Sequence, residues 1–157
     1  MKRLGNRGFT LAEVIVTVVI SSMVMLALFS FTTIISRVYT ESKIKNEQQL
    51  IISNVKYYLK GQLTLAVDIK STGDATYDKI EFKNNVILKN DANVFSDSVY
   101  GDQAITATVK GFGSLLNFVI TVEDATGKAT SQEFTLKMRN KINIDIPDQT
   151  TILYYKQ

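Results

Sequence analysis

The residue types that enzymes use most for nucleophilic and metal chemistry are missing from this 157-residue chain, which has no cysteine and no histidine. Thiol and imidazole nucleophiles, the usual zinc sites and any disulfide framework are therefore excluded. Carboxylates remain as candidates for acid–base chemistry. The adjacent pair Glu123-Asp124 lies beside a predicted turn, where the two side chains would point to opposite sides of a strand end. This pair is therefore not expected to act as a general acid and base.

A second group of carboxylates could in principle bind calcium. Asp68, Asp74 and Asp78 lie in a stretch that also contains serine, threonine and glycine. Their spacing does not fit the calcium-loop pattern of alternating Asp or Asn followed by Gly, so a solvated loop is favoured. We predict no metal site, no cofactor and no catalytic residue in this chain.

Two further patterns are better explained by structure than by ligand binding. The Gly-Phe-Gly sequence at 111–113 resembles a phosphate-binding loop, but it lies between two alternating strands without a helix after it. A hairpin turn is therefore favoured. Tyr154 and Tyr155 could stack on a base or a sugar, although aromatic residues near a terminus more often complete a core or a sheet. Tyr57 and Tyr58 are likewise predicted to serve mainly in packing.

One carboxylate has an unusual position, because Glu13 directly precedes 23 residues without a charge, from Val14 to Ser36. As a helix this segment is long enough to cross roughly 30 Å of hydrocarbon, so it predicts a transmembrane helix. A carboxylate at the bilayer centre costs about 2.5–3.5 kcal/mol on insertion scales. Glu13 therefore either reaches the membrane surface or has a partner that offsets its charge.

The positive charge of the chain is concentrated before this apolar segment. Lys2, Arg3 and Arg7 account for the whole net charge of +3, since the other 15 basic residues equal the 15 acidic ones. This distribution predicts a cytoplasmic N-terminus and an external C-terminal part. It also disfavours a dedicated nucleic-acid surface, although a local patch stays open. A cleavable secretory signal is not expected, because the apolar run is too long and no small-residue cleavage site closes it.

The sequence Gly-Phe-Thr-Leu-Ala-Glu at 8–13, followed by the apolar run, resembles the class III signal of type IV pilins and pseudopilins. The resemblance implies that a prepilin peptidase cleaves between Gly8 and Phe9 and that Phe9 is then N-methylated. It also implies that Glu13 offsets the N-terminal ammonium of Phe9 in a neighbouring subunit during assembly. The further partners implied are other pilin or pseudopilin subunits, a platform membrane protein and an assembly ATPase.

Two departures from major pilins of Gram-negative bacteria bear on the kind of pilin. Ser30 stands where many of those pilins have a helix-kinking proline, and no cysteine pair closes a C-terminal loop. Both features suit pseudopilins, minor pilins or Gram-positive pilins. The choice among these, and the machine that the chain serves, stays open at the level of sequence.

After the membrane segment the helical pattern continues with one apolar stripe. Gly61 is predicted to stop this helix, and the stripe is interrupted by Gln48 between its apolar members Ile44, Ile51, Val55 and Leu59. A fragment beginning near Val38 is therefore expected to fold alone, with the stripe packed against a sheet.

Alternating residues in the last hundred positions predict antiparallel strands. Asn84-Asn85 suits a tight turn between two strands, residues 110–114 and 124–127 are predicted turns of a meander, and Pro147 is predicted to end a last strand. The expected fold is α+β: a long N-terminal helix packed on a C-terminal antiparallel sheet. The expected organisation is a leader at 1–8, a transmembrane and fibre-core helix at 9–36, an amphipathic helix at 37–61 and a head domain at 62–157.

Two classes of function account for this organisation. The first is a non-enzymatic structural subunit of a type IV pilus-like fibre, most in keeping with a minor pilin or pseudopilin of a pilus, competence or type II secretion system. It would wait in the cytoplasmic membrane and end in a surface or periplasmic fibre. The alternative is a monomeric single-pass protein with an external binding domain, such as a sensor or adhesin. The alternative does not explain the basic leader, Gly8-Phe9 and Glu13 together.

Overall fold

The computed structural model describes residues 10–73, 75–140 and 144–157, with the backbone alone for Asp97. The predicted α+β class is confirmed, since one long helix precedes a set of antiparallel strands. The chain divides into two compact units, with the boundary between Lys43 and Ile44. The elements are α1 (Leu11–Leu63), β1 (Asp68–Lys70), β2 (Asp78–Lys83), β3 (Val86–Lys89), β4 (Ala92–Asn93), α2 (Asp97–Tyr100), β5 (Ala104–Gly113), β6 (Leu115–Glu123), β7 (Ala129–Lys137), β8 (Ile144–Thr150) and β9 (Ile152–Lys156).

In the first unit, α1 is apolar on every side and its large side chains are exposed. Its hydroxyl groups donate hydrogen bonds back to the helix. Thr17 Oγ1 donates to the carbonyl of Glu13 at 2.7 Å, and Ser30 Oγ donates to that of Leu26 at 2.9 Å. These bonds satisfy polar groups that would otherwise be costly among lipid tails or apolar helices. The Ser and Thr side chains of this segment are therefore compatible with apolar surroundings.

In the second unit, the predicted stripe of α1 is confirmed as the face that packs on the sheets. Ile44 is half-buried at its beginning, and the fully buried members are Gln48, Ile51, Ile52, Val55, Leu59 and Leu63. The prediction that Gly61 stops the helix is wrong, because α1 continues to Leu63. Buried Leu63 and the bonds of Gln62 to Lys89 and Tyr155 hold this last turn in helical form.

A four-stranded sheet in the order β7-β6-β5-β8 contains the predicted meander. Its inward residues alternate as expected, with Phe118, Ile120 and Val122 of β6 buried. The predicted turn at 110–114 is shorter than expected, because β5 continues to Gly113 and only Gly113 and Ser114 lie at the corner. Gly113 has a φ of 61°, which a residue without Cβ adopts at little cost.

The prediction that Pro147 ends the last strand of this sheet is wrong. Pro147 lies inside β8, which spans Ile144–Thr150. β8 is the edge strand beside β5, and the pairing shifts register between Val109 and Gly111. Proline is tolerated there because an edge strand has one side without ladder hydrogen bonds. The sequence pattern identified the strand but not its position at the edge.

A second, five-stranded sheet has the order β1-β9-β2-β3-β4. The predicted turn at Asn84-Asn85 is confirmed, with φ values of 53° and 64° that match a type I′ hairpin. Asn90 and Asp91 form a similar turn between β3 and β4, with φ values of 49° and 66°. The C-terminal strand β9 pairs with both β1 and β2, so the end of the chain completes this sheet.

The end of α1 is tied to the five-stranded sheet by a polar cluster. Gln62 Oε1 accepts hydrogen bonds from the Tyr155 hydroxyl at 2.7 Å and from Lys89 Nζ at 3.0 Å. Burial raises the pKa of Tyr155, and burial likewise raises that of Tyr58. The hydrogen bond with Tyr155 is the main cause of the raised pKa of Lys89.

This cluster predicts alkaline loss of stability. As pH rises through about 10, tyrosines of the unfolded chain ionise before those of the folded chain, so the unfolded state binds fewer protons and stability falls. Loss of the Lys89 proton at higher pH also lowers stability, because the pKa of Lys89 is raised in the folded chain. Urea unfolding of a fragment starting near Val38 should give a lower free energy of unfolding at about pH 10.5 than at about pH 8. Tyr155→Phe should reduce this difference, and an unchanged difference would show that Tyr155 is not its source.

Candidate functional site

The site with the clearest chemistry is the N-terminal turn of α1, where Thr10 and Glu13 bond reciprocally. Glu13 Oε2 accepts from the Thr10 backbone N–H at 2.9 Å and from Thr10 Oγ1 at 3.0 Å. The Glu13 backbone N–H donates to Thr10 Oγ1 at 3.3 Å. This is the capping-box arrangement, in which the residue before the first turn and the third residue of the helix satisfy each other's N–H groups. It fixes the beginning of the helix at Leu11.

Sequence reasoning singled out Glu13 for its charge but missed its role in capping the helix. The signal was available, because Thr-Leu-Ala-Glu at 10–13 has the Thr-x-x-Glu spacing of a capping box before an apolar run. Gly8 and Phe9, the predicted cleavage and methylation residues, lie outside the described residues. Pairing of Glu13 with the ammonium of a neighbouring Phe9 stays a prediction.

The cap places a carboxylate at the beginning of a long apolar helix. Among the described residues, α1 is the helix that by length and composition could cross a membrane. Negative charge is favourable at a helix N-terminus, where free N–H groups concentrate positive potential. The carboxylate of Glu13 thus lies at the N-terminal end of α1.

The carboxylates considered for calcium take part in local hydrogen bonds. Asp68 Oδ2 accepts from the Tyr77 hydroxyl at 2.6 Å, which is the main cause of its lowered pKa. Asp78 Oδ1 accepts from Asn90 Nδ2 at 2.8 Å, the main cause of its lowered pKa. Asp74 lies outside the described residues. In the part of the chain that the structure describes, no group of three carboxylates could hold a metal ion.

Asp124 shapes the turn between β6 and β7. Its Oδ1 accepts from the Thr126 hydroxyl at 2.6 Å, from the Thr126 N–H at 2.9 Å and from the Lys128 N–H at 2.9 Å. The hydroxyl bond is the main cause of the lowered pKa of Asp124. Glu123 is the exposed last residue of β6. Asp124 therefore bonds within the turn, whereas Glu123 lies at the end of the strand.

The Gly-Phe-Gly sequence at 111–113 has a packing role in β5. A Cβ on Gly111 would collide with the side chain of Ile144 on β8, so this glycine permits close approach of the edge strand. Phe112 points to solvent. A strand continues through these residues, so a phosphate loop is absent from this part of the described chain.

The tyrosines flagged by sequence divide into packed and exposed ones. Tyr155 is fully buried, which agrees with its expected part in completing a sheet. Tyr58 packs edge-on against Phe95 with ring centroids 5.8 Å apart. The prediction that Tyr57 serves in packing is wrong, because 81% of this residue is exposed. Tyr57 lies on the face of α1 opposite the buried stripe.

A family model described as "Prokaryotic N-terminal methylation motif" matches residues 3–29, which include the capping box and the first part of the apolar helix. No curated protein and no solved structure matches the chain. The match covers the segment in which sequence reasoning placed the cleavage site and Glu13, and the fold downstream is a long apolar helix followed by antiparallel sheets. The chain thus carries the N-terminal signature of type IV pilins and pseudopilins, on an α+β fold of the pilin-like kind.

Proposed function

We propose that this protein is a non-enzymatic structural subunit of a type IV pilus-like fibre, processed by prepilin peptidase and polymerised through α1. The observation that carries the proposal is the match of the methylation motif to residues 3–29, which include the first part of the apolar helix α1. A prepilin peptidase substrate that assembles with other pilins in a membrane system is what this motif implies. The platform membrane protein and the assembly ATPase complete the proposed machinery.

The apolar part of α1 supports a mechanism in which neighbouring helices replace lipid. Before assembly the segment 9–36 holds the subunit in the cytoplasmic membrane with the head outside. In the fibre the same apolar surface packs against other copies of α1, where small residues and matched polar groups replace contacts with lipid. A slip in this packing would leave charges buried without partners, so charge pairing fixes the axial register.

Glu13 is proposed to supply that pairing. Cleavage after Gly8 would make the Phe9 ammonium the first group of the chain, one residue before Thr10. The Glu13 carboxylate of another subunit would then offset this ammonium, while its own capping bonds to Thr10 keep the carboxylate at the helix N-terminus. Each subunit thereby offers one positive and one negative group at the same end of its helix.

Ser30 supports the assignment to a minor pilin or pseudopilin. Its hydroxyl donates to the Leu26 carbonyl at 2.9 Å within an uninterrupted helix. A proline at that position would remove a backbone hydrogen bond and bend the helix. This feature supports the proposal that the chain is a minor pilin, a pseudopilin or a Gram-positive pilin. Its final location would be a cell-surface or periplasmic fibre.

N-terminal sequencing of the protein purified from membranes and from sheared fibres tests the proposal. We expect a chain that begins at Phe9 with a methylated amine and contains 149 of the 157 residues. A host strain without prepilin peptidase is the control and should yield only the uncleaved chain. A start at Met1 in the wild-type host, or after a site beyond Ser36, would favour the single-pass sensor or adhesin instead.

A further inference from the structure

The second unit has two chemically different ends. At one end, Gln48 Nε2 donates to the Lys128 carbonyl at 2.9 Å, beside the turn between β6 and β7. At the other end, the Arg139 N–H donates to the Thr64 carbonyl at 3.1 Å, just after the end of α1. The strands β5, β6 and β7 run between these ends. Helix α1 therefore gives the head a direction, from the Gln48 end to the Arg139 end.

The Gln48 end contains a groove of about 560 Å³, here called the acidic groove. Its walls come from α1, from the segment 98–103 and from the turn at 124–126. Ile44, Leu50 and Val99 supply apolar surface, and Leu50 is 63% exposed. Its carboxylates are Glu47, Asp102 and Asp124, and none of the described residues that line it is basic.

Two acceptors in the lining of this groove have no hydrogen-bond donor among the described residues. They are Gln103 Oε1 and Asp124 Oδ2, both buried as atoms. Together with the three carboxylates, these acceptors suit a ligand that brings N–H groups. A guanidinium or an ammonium on an aliphatic stem combines such donors with positive charge and apolar surface.

The Arg139 end presents groups of this kind, here called the basic end. Lys60, Lys137 and Arg139 are exposed there. Leu65 is 53% exposed and follows Thr64, whose carbonyl accepts from Arg139. Leu115 is exposed and lies directly opposite Lys137 in the β6–β7 register. The basic end therefore combines cations with exposed aliphatic side chains, the complement of the acidic groove.

We propose that the basic end of one head docks into the acidic groove of a second copy of this chain. The proposal rests on the fibre-forming function proposed above and names the head surfaces that would meet. If the heads of successive copies have the same direction along the fibre, the Arg139 end of one head faces the Gln48 end of the next. A contact between two different surfaces of identical subunits extends a filament when the rotation between copies does not close a ring.

In the docked pair, Arg139 lies among the carboxylates of the groove and Leu65 contacts its apolar wall. Gln103 Oε1 and Asp124 Oδ2 then receive hydrogen-bond donors from the second copy, which the described residues of their own copy do not supply. Removing one member of a desolvated charge pair weakens an interface strongly, because the other charge is left buried without a partner. The contact would stabilise the fibre in addition to the packing of α1.

Charge reversal tests this contact in cells that produce the full chain as fibres. Arg139→Glu and Asp102→Lys should each lower the amount of sheared fibre protein by about tenfold or more, as expected for truncating an interfacial charge pair. The double variant should restore most of the yield, because the charges are exchanged. Lys83→Glu is the matched control, since Lys83 is an exposed cation on β2 outside both surfaces, and it should leave the yield unchanged. Unchanged yield for Arg139→Glu, or no rescue in the double variant, would overturn the contact.

Cross-linking in the same fibres locates the contact directly. The chain has no cysteine, so Asp102→Cys together with Arg139→Cys introduces the only thiols. A short bis-maleimide reagent should give a ladder of multimers with the double variant and, at most, dimers with either single variant. Double-variant fibres that form but give no ladder would reject the docking contact alone. Absence of processed wild-type fibres would instead reject the proposed function.

Discussion

The Glu13→Leu protein is expected to be cleaved after Gly8 and yet to be missing from sheared fibres. In the proposed fibre, this change leaves the ammonium of a neighbouring Phe9 without a partner in an apolar core. Breaking a buried ion pair typically costs about 3–5 kcal/mol. That cost corresponds to about two to four orders of magnitude in the equilibrium between membrane and fibre.

The capping box provides the matched variants for this experiment. Glu13→Gln keeps an acceptor for the Thr10 N–H but removes the charge, since Gln also serves in capping boxes. Thr10→Ala keeps the charge but removes the hydroxyl that bonds Glu13. If charge pairing drives assembly, Glu13→Gln should be excluded like Glu13→Leu, while Thr10→Ala should be incorporated.

Immunoblots of membranes and sheared fibres from cells that also express wild-type subunits measure the distribution of each variant. The reverse pattern, with Glu13→Gln incorporated and Thr10→Ala excluded, would assign Glu13 to helix capping alone. Normal incorporation of Glu13→Leu would remove the charge-pairing mechanism. In a monomeric membrane anchor, by contrast, Glu13→Leu should leave insertion and display intact, because no neighbouring ammonium depends on the carboxylate and an apolar residue inserts at lower cost.

Replacing Ile51 by Asp is expected to destabilise the head more than any surface change. Ile51 is 5% exposed on the face of α1 that packs against the sheets. The change removes apolar contacts and buries a charge without a partner, for a loss of about 3 kcal/mol or more in the free energy of unfolding. For a head of this size, that loss corresponds to a fall of roughly 10 °C or more in Tm.

Thermal melting of a fragment starting near Val38, followed by circular dichroism, measures this effect. Leu50→Asp is the matched control, because Leu50 is the preceding residue of the same helix and is 63% exposed. Its effect should stay within about 1 kcal/mol, as for most surface substitutions. Equal melting temperatures for wild type and Ile51→Asp would mean that the buried face of α1 is not the one described.

Local patterns predicted the parts of this protein that depend on neighbouring residues. The 23 uncharged residues after Glu13, the stripe through Ile51 and the alternation in β6 each follow from one periodicity, and the structure has the corresponding elements. The turn at Asn84-Asn85 followed from the tolerance of asparagine for positive φ. The methylation motif is likewise continuous in sequence, and the family match falls on it.

Other features could not be predicted from local patterns, because the residues that determine them lie far away in the chain. Gln48 looked like an interruption of the stripe, yet it is buried because the Lys128 carbonyl and the Thr130 hydroxyl, some 80 residues later, are its partners. Pro147 remains within a strand because β8 is an edge, and strand order does not follow from alternation.

The sequence by itself thus determined the motif, the apolar helix and the identity of most strands, since each depends on residues that are adjacent or regularly spaced. Only the tertiary structure decided that the strands form two sheets, with β9 returning to pair with β1 and β2. The same folding brought Asp102 and Asp124 together with α1 in one groove and left Arg139 beside Thr64 at the opposite end. Long-range pairing depends on how all the apolar faces are covered at once, a property that no single window of sequence contains.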